Sequence, residues 1–327
     1  MKKKKLLQGI RPYVWEHPED KAAFTKLTKV FGLNKVVRTF LEGSTERSLR
    51  LAHLASSVKV SQKQFPHIHK LFEGVCETFC VKTIPEIYIS ETPFLNRGVI
   101  GIETPFIVIK ASDLELLTDD EELTFLLGHE LGQILSGHSM YKTLLDLLLK
   151  MSEYLLNIPL SGVVLTGVLA ALKEFFAKAQ WSADRAGLLA VQNPDVATRV
   201  LMKLSGGKLI DEMDFSEILK QAQEYKKGQS LSGNLFKLIN ILGQTQSFAI
   251  IRLEELVKWV TSGEYTNVLE SNYEKEQALL GQNFDAPKNE EKQDESSAKN
   301  KNEYLNKTLK QAEDTFQNTS KKIKRLT

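Results

Sequence analysis

Residues 118–137, TDDEELTFLLGHELGQILSG, constrain the fold more than any other stretch. Thr118 followed by Glu121 reads as a capping box, and acidic side chains fill the first turn, where the helix dipole favours them. Leu123, Leu127, Leu131 and Ile134 then recur at helical spacing along one stripe, and Gly137 closes the helix. Just before it come PEIYIS (85–90), GVIGIE (98–103) and PFIVIK (105–110). They are short, β-branched and punctuated by Pro and Gly, so they read as strands, the last two turned into an antiparallel hairpin at 103–105. A helix with one apolar stripe beside a few buried strands predicts an α+β fold, with a small antiparallel sheet packed on that helix.

The rest of the chain reads as mainly helical. AAFTKLTKVFGLNKVVRTFLE places an N-terminal helical region over 1–60. FPHIHKLFEGVCETFCV is an amphipathic helix whose apolar face takes Leu71, Phe72, Val75, Cys76, Phe79 and Cys80. A second strong helix runs through LAALKEFFAKAQWSADRAGLLAVQ and stops before Asn193-Pro194. Further helices, MDFSEILKQAQEY and IIRLEELVKWV, complete a domain over 61–280. Residues 281–327 are polar, charged and poor in large apolar side chains, which predicts a disordered tail.

Composition bounds the function. Among 327 residues a net charge of +2 argues against a dedicated nucleic-acid binder. Two cysteines exclude a disulfide framework and suit a reducing, cytoplasmic location. MKKKKLLQGIRPYVW has the basic start of a signal peptide without its apolar run, so no secretion signal is expected. The uncharged run YLLNIPLSGVVLTGVLAAL (154–172) approaches the ~20 residues that span a bilayer. Pro159, Gly162 and Gly167 weaken it, and a buried helical hairpin turning near Pro159 explains it better. Membrane association through 154–172 stays as an alternative.

The chemistry lies in HELGQ (129–133). In H-E-x-x-H the residues i and i+4 share one helix face, so two imidazoles can meet a zinc ion. The intervening Glu, rotated by roughly 100°, faces the metal-bound water as general base. Here His129 and Glu130 are in place, but Gln133 stands where the second histidine belongs. His138 is half a turn out of phase with His129 on a regular helix and cannot chelate beside it. His67 and His69 read as surface residues.

These segments together resemble the HtpX and CAAX prenyl endopeptidase family of zinc metallopeptidases. The residues that carry the resemblance are the strands, the capped HELGQ helix, SGH after it, and QWSAD (180–184) on the following helix. It covers roughly residues 60–275 and implies a zincin-like fold. It also implies that position 180 is the third zinc ligand, where Gln180 replaces the family's Glu. Asp184 would then accept the other ring N–H of His129, with His138 also in the outer layer of the site. The family's T-H-P stretch and its following Arg align with TQSFAIIR, which puts Gln246 and Arg252 at the substrate-side positions. In zincins a peptide substrate adds as a β-strand at the sheet edge, and Asn96, Arg97 and Gly98 would stand at its entrance.

Three functional positions, 133, 180 and 246, are therefore glutamine in an otherwise intact framework. The leading expectation is a metallopeptidase-family pseudoenzyme that binds peptide or protein segments in its cleft, with zinc weak or absent. The alternatives are an active zinc endopeptidase with an unusual ligand set and a membrane-surface scaffold. Asp184 and Arg185 also admit a plainer reading, an ion pair tying the second helix to its neighbours.

Overall fold

A computed structural model describes residues 4–30, 33, 36–37, 45–92, 98–155, 161–231 and 248–271, with backbone alone at 151–155, 161–166 and 229–231. Asn96, Arg97, Gln246, the turn near Pro159 and the 281–327 tail lie outside the described residues.

The fold is α+β and zincin-like, mainly helical with a small sheet. A 3-10 turn (Pro12–Val14) precedes α1 (Pro18–Thr28), and among the described elements α2 (Thr45–Ser56), strand β1 (Val58–Lys59) and α3 (Pro66–Thr78) come after it. Strands β2 (Ile87–Ser90), β3 (Gly98–Ile100) and β4 (Phe106–Lys110) follow, and the short α4 (Ala111–Leu116) leads into α5 (Asp120–Leu135). Then come α6 (Ser139–Leu155), α7 (Ser161–Val191), α8 (Pro194–Gly206), α9 (Phe215–Leu231), α10 (Ala249–Thr261) and α11 (Glu264–Glu270).

The sheet order is β1-β2-β4-β3. The expected hairpin is present, with Val99 opposite Ile107 and Ile100 opposite Phe106 in antiparallel register. The sheet as a whole is mixed and not antiparallel, because β2 runs parallel to β4 with Tyr88 opposite Val108. The chain leaves β2, crosses to the far edge to lay down β3, and returns through the hairpin into the middle. Segment patterns cannot show that crossing. Both central strands are buried, which is why they read as continuous apolar runs. Glu46, at the start of α2, holds the hairpin turn: its carboxylate accepts from the backbone N–H groups of Ile102, Glu103 and Thr104 at 2.9–3.1 Å.

Helix α5 carries the predicted stripe, with Leu123, Leu127 and Leu131 buried and Ile134 partly so. Its cap sits one residue later than the sequence suggests. Asp119, not Thr118, accepts from the Glu121 N–H at 2.7 Å. Glu122, which would complete a box with Asp119, is instead 1% exposed and binds Arg199 and Lys203 of α8 at 2.7 and 2.8 Å. At the other end the Gly137 N–H donates to Ile134 O and the His138 N–H to Gln133 O, a Schellman ending with Gly137 at φ +70°.

Helices α5 and α7 approach closely enough that a Cβ on Gly128 would lie 2.2 Å from the Ala190 Cβ, and one on Gly132 2.3 Å from that of Ala186. A step of four forward on α5 matches four backward on α7, so the pair is antiparallel. Leu7 and Trp15 join the core formed by α3, the sheet, α5, α8 and α10. A second core unites α1, α6 and α7 through Leu27, Leu144, Leu148, Leu172 and Phe175. Among the described residues no helix is long and apolar enough to cross a membrane. Cys76 is buried as expected, and its thiol pKa is pushed up to about 12 by burial. Cys80 is not on that apolar face. It lies beyond the end of α3 at φ +54°, exposed.

Candidate functional site

The α5–α7 contact builds the site. The buried His129 ring meets the buried Asp184 carboxylate, Nδ1 to Oδ1 at 2.9 Å, the hydrogen bond that the resemblance implies. With Asp184 ionised, Nδ1 carries the proton and Nε2 remains as the ring's acceptor. Arg252 of α10, also buried, donates twice to the same carboxylate. Burial alone would raise the Asp184 pKa, but the guanidinium and the imidazole reverse this and hold it below the usual range.

Arg185 does not pair with Asp184. Its guanidinium lies over the Trp259 ring at 4.9 Å and reaches the Glu16 carbonyl at 3.4 Å, which removes the ion-pair reading of Asp184-Arg185. One helical position separates the two residues, so their side chains leave α7 in different directions. Arg252, expected toward the substrate, has its guanidinium turned inward on Asp184.

One turn along each helix from His129 and Asp184 stand Gln133 of α5 and Gln180 of α7. Both are buried, at 2% and 4% exposure. Gln133 Nε2 donates to Glu130 Oε2 at 3.2 Å. Gln133 Oε1 and Gln180 Nε2 have no hydrogen-bond partner. Such orphans normally cost about 1–3 kcal/mol each where water does not reach them.

Glu130 is partly exposed. Burial raises its pKa, opposed by His129 and Lys142. Gly98, at the entry of the edge strand, adjoins it: a Cβ there would lie 3.3 Å from Glu130 Oε2 and 3.7 Å from Lys142 Cε. Behind that point the edge is closed, since Val99 and Ile100 expose nothing and the Gly101 N–H donates to Thr143 Oγ1 of α6.

His138 stands apart from this constellation. The regular-helix phase does not apply to it, because α5 has ended, and the Schellman turn delivers its ring to Asp20 of α1. His138 Nε2 lies 3.4 Å from Asp20 Oδ2, and the ring stacks edge-on against Phe175. Asp20 also accepts from Ser182 Oγ, which in turn accepts from the His17 N–H. Burial lifts the Asp20 pKa to about 7 and lowers that of His138 to about 4. This buried cluster was missed in the sequence, although a signal existed: Asp20 stands on the same stripe of α1 as Ala23 and Leu27.

A search of family models matches residues 62–260 to Peptidase family M48. The chain belongs to peptidase family M48. It is 31% identical over 261 residues to plastoglobule-localized metallopeptidase 48, chloroplastic, of Arabidopsis thaliana, covering 78% of this chain and 74% of that protein. No solved structure gives a significant match. M48 peptidases are zinc-dependent, and the resemblance would put the ion on positions 129, 133 and 180. His129 offers one imidazole. Gln133 and Gln180 offer neutral amides, hard and weak donors for zinc, and the orphaned atom on Gln180 is an N–H donor. Among the described residues no three His, Cys, Asp or Glu side chains stand together as a metal site.

Proposed function

We propose that this M48 chain, of the HtpX and CAAX prenyl endopeptidase type, uses its cleft to bind peptide or protein segments without hydrolysing them. The observation that carries this reading is the contrast at the helix pair. His129, Asp184 and Arg252 keep a complete hydrogen-bonded framework, while the two adjoining ligand positions hold buried glutamines with orphaned atoms. One imidazole and two amides do not fit a tight zinc site, because zinc peptidases hold the ion with three imidazole, carboxylate or thiolate donors. Without that ion Glu130 has no acidified water to deprotonate, and its carboxylate instead accepts from Gln133. The two free cysteines suit a reducing, cytoplasmic setting.

Denatured casein tests the proposal. With zinc added, the purified chain should retain fluorescent casein in a pull-down and leave it uncleaved. Cleavage that disappears in Glu130→Gln would show an active peptidase and overturn the reading.

A further inference from the structure

We infer that the exposed face of α2 is an interface for a second copy of this chain, paired across a two-fold axis. Helix α2 is apolar on two sides. Its inward side packs Leu49 on the sheet and sets His53 against the rings of Tyr88 and Phe106. Its outward side carries Leu51, Ala52, Leu54 and Ala55, and Val58 stands exposed just beyond the helix end. Leu51, Leu54 and Ala55 share one face through their spacing of three and four. The three large side chains, Leu51, Leu54 and Val58, remain 55%, 52% and 45% exposed. A surface helix ordinarily turns charged and polar side chains outward, and a helix apolar all round is a buried one. Single apolar side chains on a surface need no explanation, but a row of neighbours marks an interaction site.

The two ends of this row say what it fits. Arg47 is exposed one turn before Leu51, on the same face. At the other end stands Glu91, also exposed. The β1–β2 register sets Val58 opposite Ile89, so the close of α2 lies level with Glu91, and Thr92 Oγ1 donates to the Ser56 carbonyl at 3.4 Å. Among the described residues neither Arg47 nor Glu91 has an ion-pair partner. A cation at one end, an anion at the other and apolar side chains between them make a surface that complements its own two-fold copy. Antiparallel pairing of two α2 helices sets Leu51 against Leu54 of the partner subunit and brings Arg47 to the partner subunit's Glu91. The same pairing lays Arg47 near the C-terminal carbonyls of the facing helix, where the helix dipole favours a cation. An anionic membrane suits the row less well. Glu91 would face the lipid headgroups, and beyond Arg47 the outward face of α2 carries no cation.

Sedimentation velocity of the full chain across a concentration series reads the assembly state. The natural chain should pass from monomer to dimer as its concentration rises. Leu51→Glu with Leu54→Glu changes side chains that the monomer leaves exposed. It should keep the circular-dichroism spectrum and stay monomeric at every concentration. Arg47→Glu should weaken the dimer about tenfold, since the two-fold axis makes each change count twice. Arg47→Glu with Glu91→Arg exchanges the charges across the axis and should recover most of that loss. A natural chain that stays monomeric throughout, or a dimer that survives the two leucine changes, would overturn the inference. So would a charge exchange that dimerises no better than Arg47→Glu alone, because it denies the two-fold pairing. If a monomeric chain instead binds phosphatidylglycerol vesicles through Leu51 and Leu54, the face belongs to a membrane and the inference falls.

Discussion

Arg252 holds Asp184 through two hydrogen bonds, Nε to Oδ2 at 2.8 Å and Nη2 to Oδ1 at 2.6 Å, and Asp184 in turn fixes the His129 ring. The pair is buried, so its value appears when one member is removed. Arg252→Met would leave the carboxylate uncompensated and should cost about 3–5 kcal/mol of stability. Urea unfolding checks this. The midpoint should fall with little change in slope, whereas an unchanged midpoint would mean that the guanidinium is not needed there.

The α5–α7 approach makes a second prediction. Gly132 has no room for a side chain, since even a Cβ would meet Ala186 at 2.3 Å. Gly132→Val must push the helices apart and should destabilise by about 1–3 kcal/mol or more. Thermal melting reads this directly. The double change Gly132→Ala with Ala186→Gly transfers the methyl group across the contact and should recover much of the loss seen in Gly132→Ala alone.

Asp20 and His138 make stability depend on pH. The folded pKa of Asp20, about 7, lies above its unfolded value near ~3.9. Its stabilising contribution is therefore full at low pH and is lost as the pH rises through about 7. His138 acts in the opposite sense: its folded pKa is lowered to about 4, so the protein loses stability as the pH falls from the unfolded value toward that one. Between the two, a protonated Asp20 faces a neutral imidazole. Asp20→Asn keeps a donor for His138 Nε2 and removes the alkaline limb. From pH 5 to pH 8 the natural chain should lose roughly 1–4 kcal/mol relative to the variant, by denaturant unfolding at each pH. Parallel stability curves would contradict this assignment.

Much of this architecture is legible in the sequence because its signals are local. The α5 stripe, the Gly137 ending, the β3–β4 hairpin and the long second helix each follow from spacing within one segment. So does the His129–Asp184 contact, once the QWSAD helix is set beside HELGQ by resemblance. The misreadings are of features set by distant parts of the chain. The parallel β2–β4 pairing depends on a crossing between strands far from either turn. Asp119 caps the helix in place of Thr118, and Glu122, three residues on, goes to Arg199 and Lys203, some eighty residues away, instead of closing a box. Arg252, and not Arg185, pairs with Asp184 because α10 packs on α7, which no local pattern shows.

The central claim concerns the two glutamines and is tested most directly by zinc content per chain. The measurement is mass spectrometry after dialysis against a mild chelator, on the natural protein and on the double variant Gln133→His with Gln180→Glu. With one imidazole and two amides at positions 129, 133 and 180, the natural chain should retain well under one zinc. The double variant, with His129 already oriented by Asp184, should retain close to one, and either single variant far less. Stoichiometric zinc in the natural chain, or a folded double variant that takes up no more zinc than its parent, would contradict the account.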